Sequence, residues 1–201
     1  MRFILASASP RRAELIKEFV KESEIIPAQG EEMAVAGTPR KLVEALSKQK
    51  ADEVYSNLNG ADIIVLGADT VVAYGKKVLG KPKTEAEAFE MLKMLSGRSH
   101  NVYTGVCFVY TSKGGKKYVN RSAKTRVTFN KLSDEWITEY VKSGSPMDKA
   151  GAYGIQDGGL VKRIRGSFTN VVGLPVELCK KLYAKIIKEQ GKEQGYDKNC
   201  D

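Results

Sequence analysis

A single histidine, His100, rules out a multi-histidine metal site, and no Ser-His-Asp assembly is credible around it. The three cysteines, Cys107, Cys179 and Cys200, contain no C-x-x-C pair, and an odd number argues against a disulfide framework. Cys107 lies in an apolar strand-like run, and Cys179 shares the apolar side of a helix-like run with Leu182 and Ile186; both read as small buried hydrophobes. No stretch approaches the roughly 18–20 apolar residues that span a membrane. The opening Met1-Arg2-Phe3-Ile4-Leu5-Ala6 is too short an apolar run for a signal peptide, so a cytoplasmic location is expected. The G-x-x-x-x-G-K-[ST] phosphate loop, zinc-finger spacing and aromatic-basic RNA-recognition motifs are all missing.

What is there is a chain of 201 residues, 42% hydrophobic, long enough for a core that needs no staples. No linker or internal repeat divides it. We expect one domain over residues 1–190 and a polar, poorly ordered tail over 191–201. The net charge of +9, from 33 Lys+Arg against 24 Asp+Glu, favours anionic partners, although lysines such as Lys113, Lys116 and Lys117 flank a turn and read as a solvated face.

Strand-like and helix-like runs alternate, which predicts an α/β fold. Strands are expected at residues 2–5, 24–27, 62–66, 71–74, 78–79, 102–110, 118–129 and 160–164. Gly75-Lys76-Lys77 and Ser112-Lys113-Gly114-Gly115 read as hairpins. Helices are expected from Ser9-Pro10 to about Val20 and from Thr38-Pro39 to about Val54. Others are expected over residues 84–95, with Thr84 and Glu87 as a capping box, and over 133–141 and 175–187.

Five places could carry chemistry. Ala6-Ser7-Ala8-Ser9-Pro10-Arg11-Arg12 joins a strand to a helix N-terminus, where backbone N–H groups, hydroxyls and guanidinium forks suit phosphate. Two cations there oppose the helix dipole; an anionic ligand would remove the conflict, while a capped helix with two solvated arginines is the plain alternative. Gly67-Ala68-Asp69-Thr70 follows a buried strand, the usual ligand-binding end of an α/β sheet; read alone, Asp69 is a turn residue bonding its own backbone. Glu31-Glu32 could hold Mg²⁺ or be an exposed acidic loop. Lys81, in Leu79-Gly80-Lys81-Pro82, could act as a point charge on phosphate. The run 148–156, Asp-Lys-Ala-Gly-Ala-Tyr-Gly-Ile-Gln, lets backbone approach a ligand; Gln156 could read a base edge, and a flexible loop is the alternative.

Taken in order, these segments resemble the Maf family of nucleotide pyrophosphatases, in its dTTP/UTP-hydrolysing branch. The shared elements are LASASPRR, an acidic pair near residue 32, GADT at 67–70, LGKP at 79–82, SGRSHNVYTGV at 96–106, DKAGAYGIQ at 148–156 and NVVGLP at 170–175. The resemblance covers roughly Phe3 to Pro175.

It implies a mixed central sheet flanked by helices, with two lobes around a deep cleft. By the same resemblance Asp69 is the proton acceptor, and Arg12, Thr70 and Gln156 set base specificity. Ser7, Glu32, Lys50 and Lys81 match further polar positions lining the cleft. Arg11 joins the substrate-binding group with the turn it stands in. Glu32 and Asp69 are expected to hold a divalent metal, Mg²⁺ or Mn²⁺. The branch preferring 7-methyl-GTP usually carries Gln where this chain has Thr70 and Glu where it has Gln156. One departure is visible: Asp157-Gly158-Gly159-Leu160 is shorter than the family's usual glycine-rich loop.

The expected reaction is attack of water on the α-phosphorus of dTTP or UTP, leaving the monophosphate and pyrophosphate. No membrane and no stable nucleic-acid complex are expected, and the resemblance allows a homodimer. The alternative, from a different class, is a non-catalytic nucleotide- or RNA-binding regulator, since some members of the family are associated with inhibited septum formation.

Overall fold

Residues 63–66 are β-branched or leucine, a composition that suits a strand buried on both faces. In the structure, a computed structural model describing residues 1–33, 37–58 and 62–195, they begin a strand that does not stop at Leu66. It runs unbroken from Ile63 to Tyr74 (β3). The sequence predicts two strands with Gly67–Thr70 as a turn between them. That reading is corrected: a long antiparallel neighbour, Ser99–Ser112 (β5), pairs β3 residue for residue from Ile64↔Tyr110 to Ala73↔Asn101. Ladder hydrogen bonds on that side hold Gly67–Thr70 extended despite the poor strand propensity of Gly and Asp.

The other side of β3 is shared. Arg2–Ala6 (β1) runs parallel to it and ends at the Ala6↔Gly67 pair. Lys77–Leu79 (β4) folds back antiparallel and begins at Val72↔Leu79. Between them, residues 68–71 of β3 have no strand beside them, so a notch opens in the middle of the sheet. Glu24–Ile25 (β2) adds to β1, and Gly115–Phe129 (β6) and Val161–Arg165 (β7) extend beyond β5. The result is a mixed seven-stranded sheet in the order β2-β1-β3-β5-β6-β7, with β4 attached to β3.

Helices cover both faces. Pro39–Asn57 (α2), capped by the Thr38 side chain on Lys41 N–H, lies on the face that carries Ile4, Val65, Cys107 and Val109. Pro10–Ile16 (α1) and Val176–Gly195 (α6) cover the opposite face, with Leu5, Ile64, Leu66, Phe108, Cys179 and Ile186. Glu85–Leu95 (α3) and Asp134–Lys142 (α4) pack with Val72, Val102, Val127 and Phe129 at the far end of the sheet. Both predicted N-caps hold: Thr84 accepts from Glu87 N–H and Ser133 from Trp136 N–H. Glu87 returns its bond to Lys83 N–H. Among the described residues no helix is long and apolar enough to cross a membrane.

Several predicted boundaries move. α1 stops at Ile16 rather than near Val20, and Ser9 occupies its N-cap without a side-chain cap bond. α6 continues to Gly195, past Ile187; the rest of the expected tail, with Cys200, lies outside the described residues. Phe168–Val172 (α5) and two 3-10 turns, Ser145–Asp148 and Ala150–Ala152, are not visible in the apolar periodicity. The run 148–156 is no flexible loop at its centre, since Gly151, Ala152 and Tyr153 are buried.

His100, outside the strand expected over 102–110, stands in β5, where it is buried. Its Nε2 lies 2.8 Å from the Tyr153 hydroxyl, and its ring meets Phe129 and Tyr153 edge-on. Burial pushes its pKa down to about 4, below the ~6.5 of an unfolded chain. Between these values the unfolded state binds a proton that the native state does not. Stability is therefore unaffected above pH 6.5 and falls progressively as pH drops toward 4, by roughly 3 kcal/mol in all. His100→Gln should flatten the slope of unfolding free energy against pH in that window. An equal offset at pH 7 and pH 5 would contradict this.

Candidate active site

The notch in β3 exposes the two faces of the strand to one cavity of about 790 Å³. Successive side chains of a strand point to opposite faces, and Asp69 and Thr70 divide accordingly. Asp69, opposite Gly105, points toward α2. Thr70, opposite Thr104, points toward α1 and α5.

On the α2 side Asp69 is 8% exposed. Its Oδ1 accepts from Lys50 Nζ at 2.6 Å. The same ammonium lies 2.7 Å from Glu32 Oε1, so two carboxylates from distant parts of the chain meet on one cationic point. The strap bearing Glu32 is held by α2 itself. Glu53 Oε1 accepts from the N–H groups of Gln29 and Gly30, and Gln49 bonds the Met33 N–H and the Glu31 carbonyl. Gln49, Lys50 and Glu53 are spaced i, i+1 and i+4 on α2, close enough in angle to face one strap. Sequence reasoning missed Gln49 and Glu53; their helical spacing beside Lys50 was the available signal. The residues by themselves left Glu31 and Glu32 open, and the family resemblance chose Glu32. Only Glu32 brings its carboxylate into the group, while Glu31 contributes its backbone carbonyl.

On the other side Arg12 acts as a strut. It donates to the carbonyls of Gly173 at 2.8 Å and Ala68 at 2.9 Å, to Ser7 Oγ at 3.1 Å and to Thr70 Oγ1 at 3.0 Å. A guanidinium has five N–H donors, so one remains for a ligand. The conflict of a cation with the α1 dipole is thus met largely by protein oxygens, not by an anion alone. Burial lowers the Arg12 pKa from its ordinary value, and Asp69 pulls it back up. Thr70 Oγ1 also meets Thr104 Oγ1 at 3.1 Å, and Thr104 donates to the Asn170 carbonyl at 2.8 Å. Asn170, fully buried, donates to the Val102 carbonyl and to Thr125 Oγ1. This polar stack fixes α5, and with it Gly173, against β5.

Arg11 leaves the turn in another direction. Its Nη1 lies 2.7 Å from Asp148 Oδ2, and Lys149 meets the second oxygen of that carboxylate at 2.9 Å. The pairing of Arg11 with Asp148 was not foreseen. Lys81 lines the cavity, exposed and with no ion-pair partner among the described residues. Its segment is held by Gly151 N–H, which donates to the Gly80 carbonyl at 2.9 Å. Gln156 also lines the cavity and is exposed. All nine residues singled out from the sequence, Ser7, Arg11, Arg12, Glu32, Lys50, Asp69, Thr70, Lys81 and Gln156, border this one cavity. No cluster of three or more His, Cys, Asp or Glu side chains suited to a metal occurs among the described residues.

A cavity lined by Arg11, Arg12, Lys50, Lys81 and Lys149 beside the carboxylates of Glu32, Asp69 and Asp148, at a break in a mixed sheet, defines an α/β protein equipped to hold an anionic ligand. The chain belongs to the Maf-like protein family, whose model matches residues 2–186. It is 48% identical over 181 residues to the dTTP/UTP pyrophosphatase of Thermococcus gammatolerans, covering 89% of this chain and 94% of that one. It is 47% identical over 201 residues to the dTTP/UTP pyrophosphatase of Agathobacter rectalis, covering 93% and 97%. The solved Ham1 protein of Staphylococcus aureus matches 92% of this chain and 99% of its own at 14% identity, with a TM-score of 0.48, too loose a likeness to carry an argument about the site.

Proposed function

We propose that the chain is a nucleoside triphosphate pyrophosphatase that hydrolyses dTTP and UTP to the monophosphate and pyrophosphate. The observation that carries this reading is the convergence of Asp69 and Glu32 on Lys50 at the notch, with Arg12 and Lys81 bordering the same cavity. Relatives named for this activity over nearly the full chain support it.

The triphosphate lies with its phosphates over the Ser7–Arg12 turn and toward Lys81. Arg11 exchanges Asp148 for phosphate oxygens, and the free Arg12 donor meets another. Asp69 takes the proton of a water as its oxygen bonds to the α-phosphorus. The bond from that phosphorus to the bridging oxygen breaks, and pyrophosphate leaves. The cavity contributes mainly positioning and charge neutralisation. Lys50 orients both carboxylates. Thr70, held by Arg12 and Thr104, and Gln156 face the base.

Glu32 and Asp69 suit a divalent cation such as Mg²⁺ or Mn²⁺, which takes one or two carboxylates together with substrate phosphates. When bound, such an ion supplies Lewis-acid charge and lowers the pKa of water.

Incubating the protein with a panel of nucleoside triphosphates and Mg²⁺ or Mn²⁺ should release pyrophosphate, fastest from dTTP and UTP. No release from any nucleotide, with strong salt-dependent RNA binding instead, would replace the enzyme by a binding module.

A further inference from the structure

Gln156 makes no hydrogen bond to protein among the described residues, so its direction depends on the backbone that carries it. That backbone is a tight turn, residues 154–160, anchored from outside the cavity. The Tyr140 hydroxyl, on α4, donates to Asp157 Oδ2 and accepts from Gly154 N–H at 3.1 Å. Ser145 Oγ donates to the same carboxylate oxygen at 2.7 Å. Asp157 N–H closes on the Gly154 carbonyl at 3.1 Å. The carboxylate lies so near Gly154 that an added Cβ would sit 2.7 Å from Asp157 Oδ2.

The far side of the turn is tied as well. Gly158 and Gly159 take φ of 74° and 72°, a left-handed conformation open mainly to glycine. Asn130 Nδ2 donates to the Gly159 carbonyl at 2.9 Å, and Asn130 N–H bonds the Leu160 carbonyl at 2.8 Å. Gln156 is thus the free apex of a loop clamped on both sides. Neither Tyr140 nor Asp157 lines the cavity, so direct contact with a nucleotide is not their role. Burial and the neighbouring Asp157 both raise the Tyr140 pKa, which keeps the phenol protonated as the donor.

We infer that Tyr140 and Asp157 are positioning residues for base selection: their hydrogen bond fixes the turn that aims the Gln156 amide at the pyrimidine edge. This rests on the pyrophosphatase reading above.

The test uses the full chain and compares UTP with GTP. Tyr140→Phe removes one hydroxyl and leaves the ring stacked on Trp136, whose centroid is 5.1 Å away; Asp157→Asn keeps the shape and removes the charge. Each should raise KM for UTP about tenfold and lower the UTP-to-GTP ratio of kcat/KM by a similar factor, with kcat within about threefold, the size of effect expected from one charged hydrogen bond. Gln156→Ala should shift the ratio in the same direction, and adding Tyr140→Phe to it should change the ratio little further. A lower Tm with unchanged KM and ratio would make the pair merely structural and overturn the inference. If Gln156→Ala alone alters selectivity, the inference falls and the base-reading role stands. If Gln156→Ala leaves the ratio untouched, the role of Gln156 fails and the inference with it. No turnover by the unaltered protein would overturn the pyrophosphatase reading itself.

Discussion

Asp69→Asn is expected to lower kcat by about 10²–10⁴-fold, the range for loss of a positioned general base, while leaving KM for UTP within about threefold. The substitution keeps the size of the side chain. An amide oxygen can still accept from Lys50, which now contacts Asp69 Oδ1 at 2.6 Å and retains Glu32 at 2.7 Å. Arg11, Arg12 and Lys81, the cations assigned to phosphate, are untouched, so binding should persist. What is lost is the ability to take a proton, together with the carboxylate charge that would help Glu32 hold a divalent cation. Steady-state kinetics with pyrophosphate detection separates the two parameters, and turnover near the unaltered rate would remove Asp69 from the mechanism.

Gly105→Ala is expected to cost roughly 3 kcal/mol or more, at or above the upper end of ordinary overpacking, and to lower Tm by about 6–12 °C for a chain of this size. The added Cβ would sit 2.1 Å from the Val43 carbonyl oxygen, and one on Gly67 would sit 2.2 Å from that of Ser47. Both obstacles are backbone of α2, so no side-chain rotation relieves them. The helix must lift from the sheet, carrying Lys50 away from Asp69 and Gln49 and Glu53 away from the strap that bears Glu32. Stability and kcat should therefore fall together. Gly114→Ala is the control: nothing lies within 4 Å of its added Cβ, and its effect should stay within about 0.5 kcal/mol. Calorimetry of the three proteins decides; a Gly105→Ala variant as stable as the control would mean that α2 is not seated on those glycines.

These two glycines explain why the sheet was only partly legible. Gly67 and Asp69 are unfavourable strand residues, and a local reading makes a turn of them. They are extended because β5 pairs along the whole of β3 and because α2 needs a surface without side chains at Gly67 and Gly105. That requirement comes from elements far apart in sequence. By contrast the starts of α2, α3 and α4 were readable from Thr38, Thr84 and Ser133, since an N-cap bond closes within three residues.

The site divides the same way. Residue types suited to phosphate and metal could be selected from the sequence, and one cavity gathers them. Their partners could not. Nothing local says that Arg12 spends four donors on Gly173, Ala68, Ser7 and Thr70, that Arg11 pairs with Asp148, or that Glu32 rather than Glu31 reaches Lys50. The Arg12 and Glu32 contacts gather at the notch left between the ends of β1 and β4, which is a property of the assembled sheet.

The most direct measurement of the central claim is hydrolysis of UTP in water enriched in heavy oxygen, with both products analysed by mass. Attack on the α-phosphorus beside Asp69 predicts one labelled oxygen in the uridine monophosphate and none in the pyrophosphate. Label in the pyrophosphate, or release of orthophosphate as the first product, would contradict it.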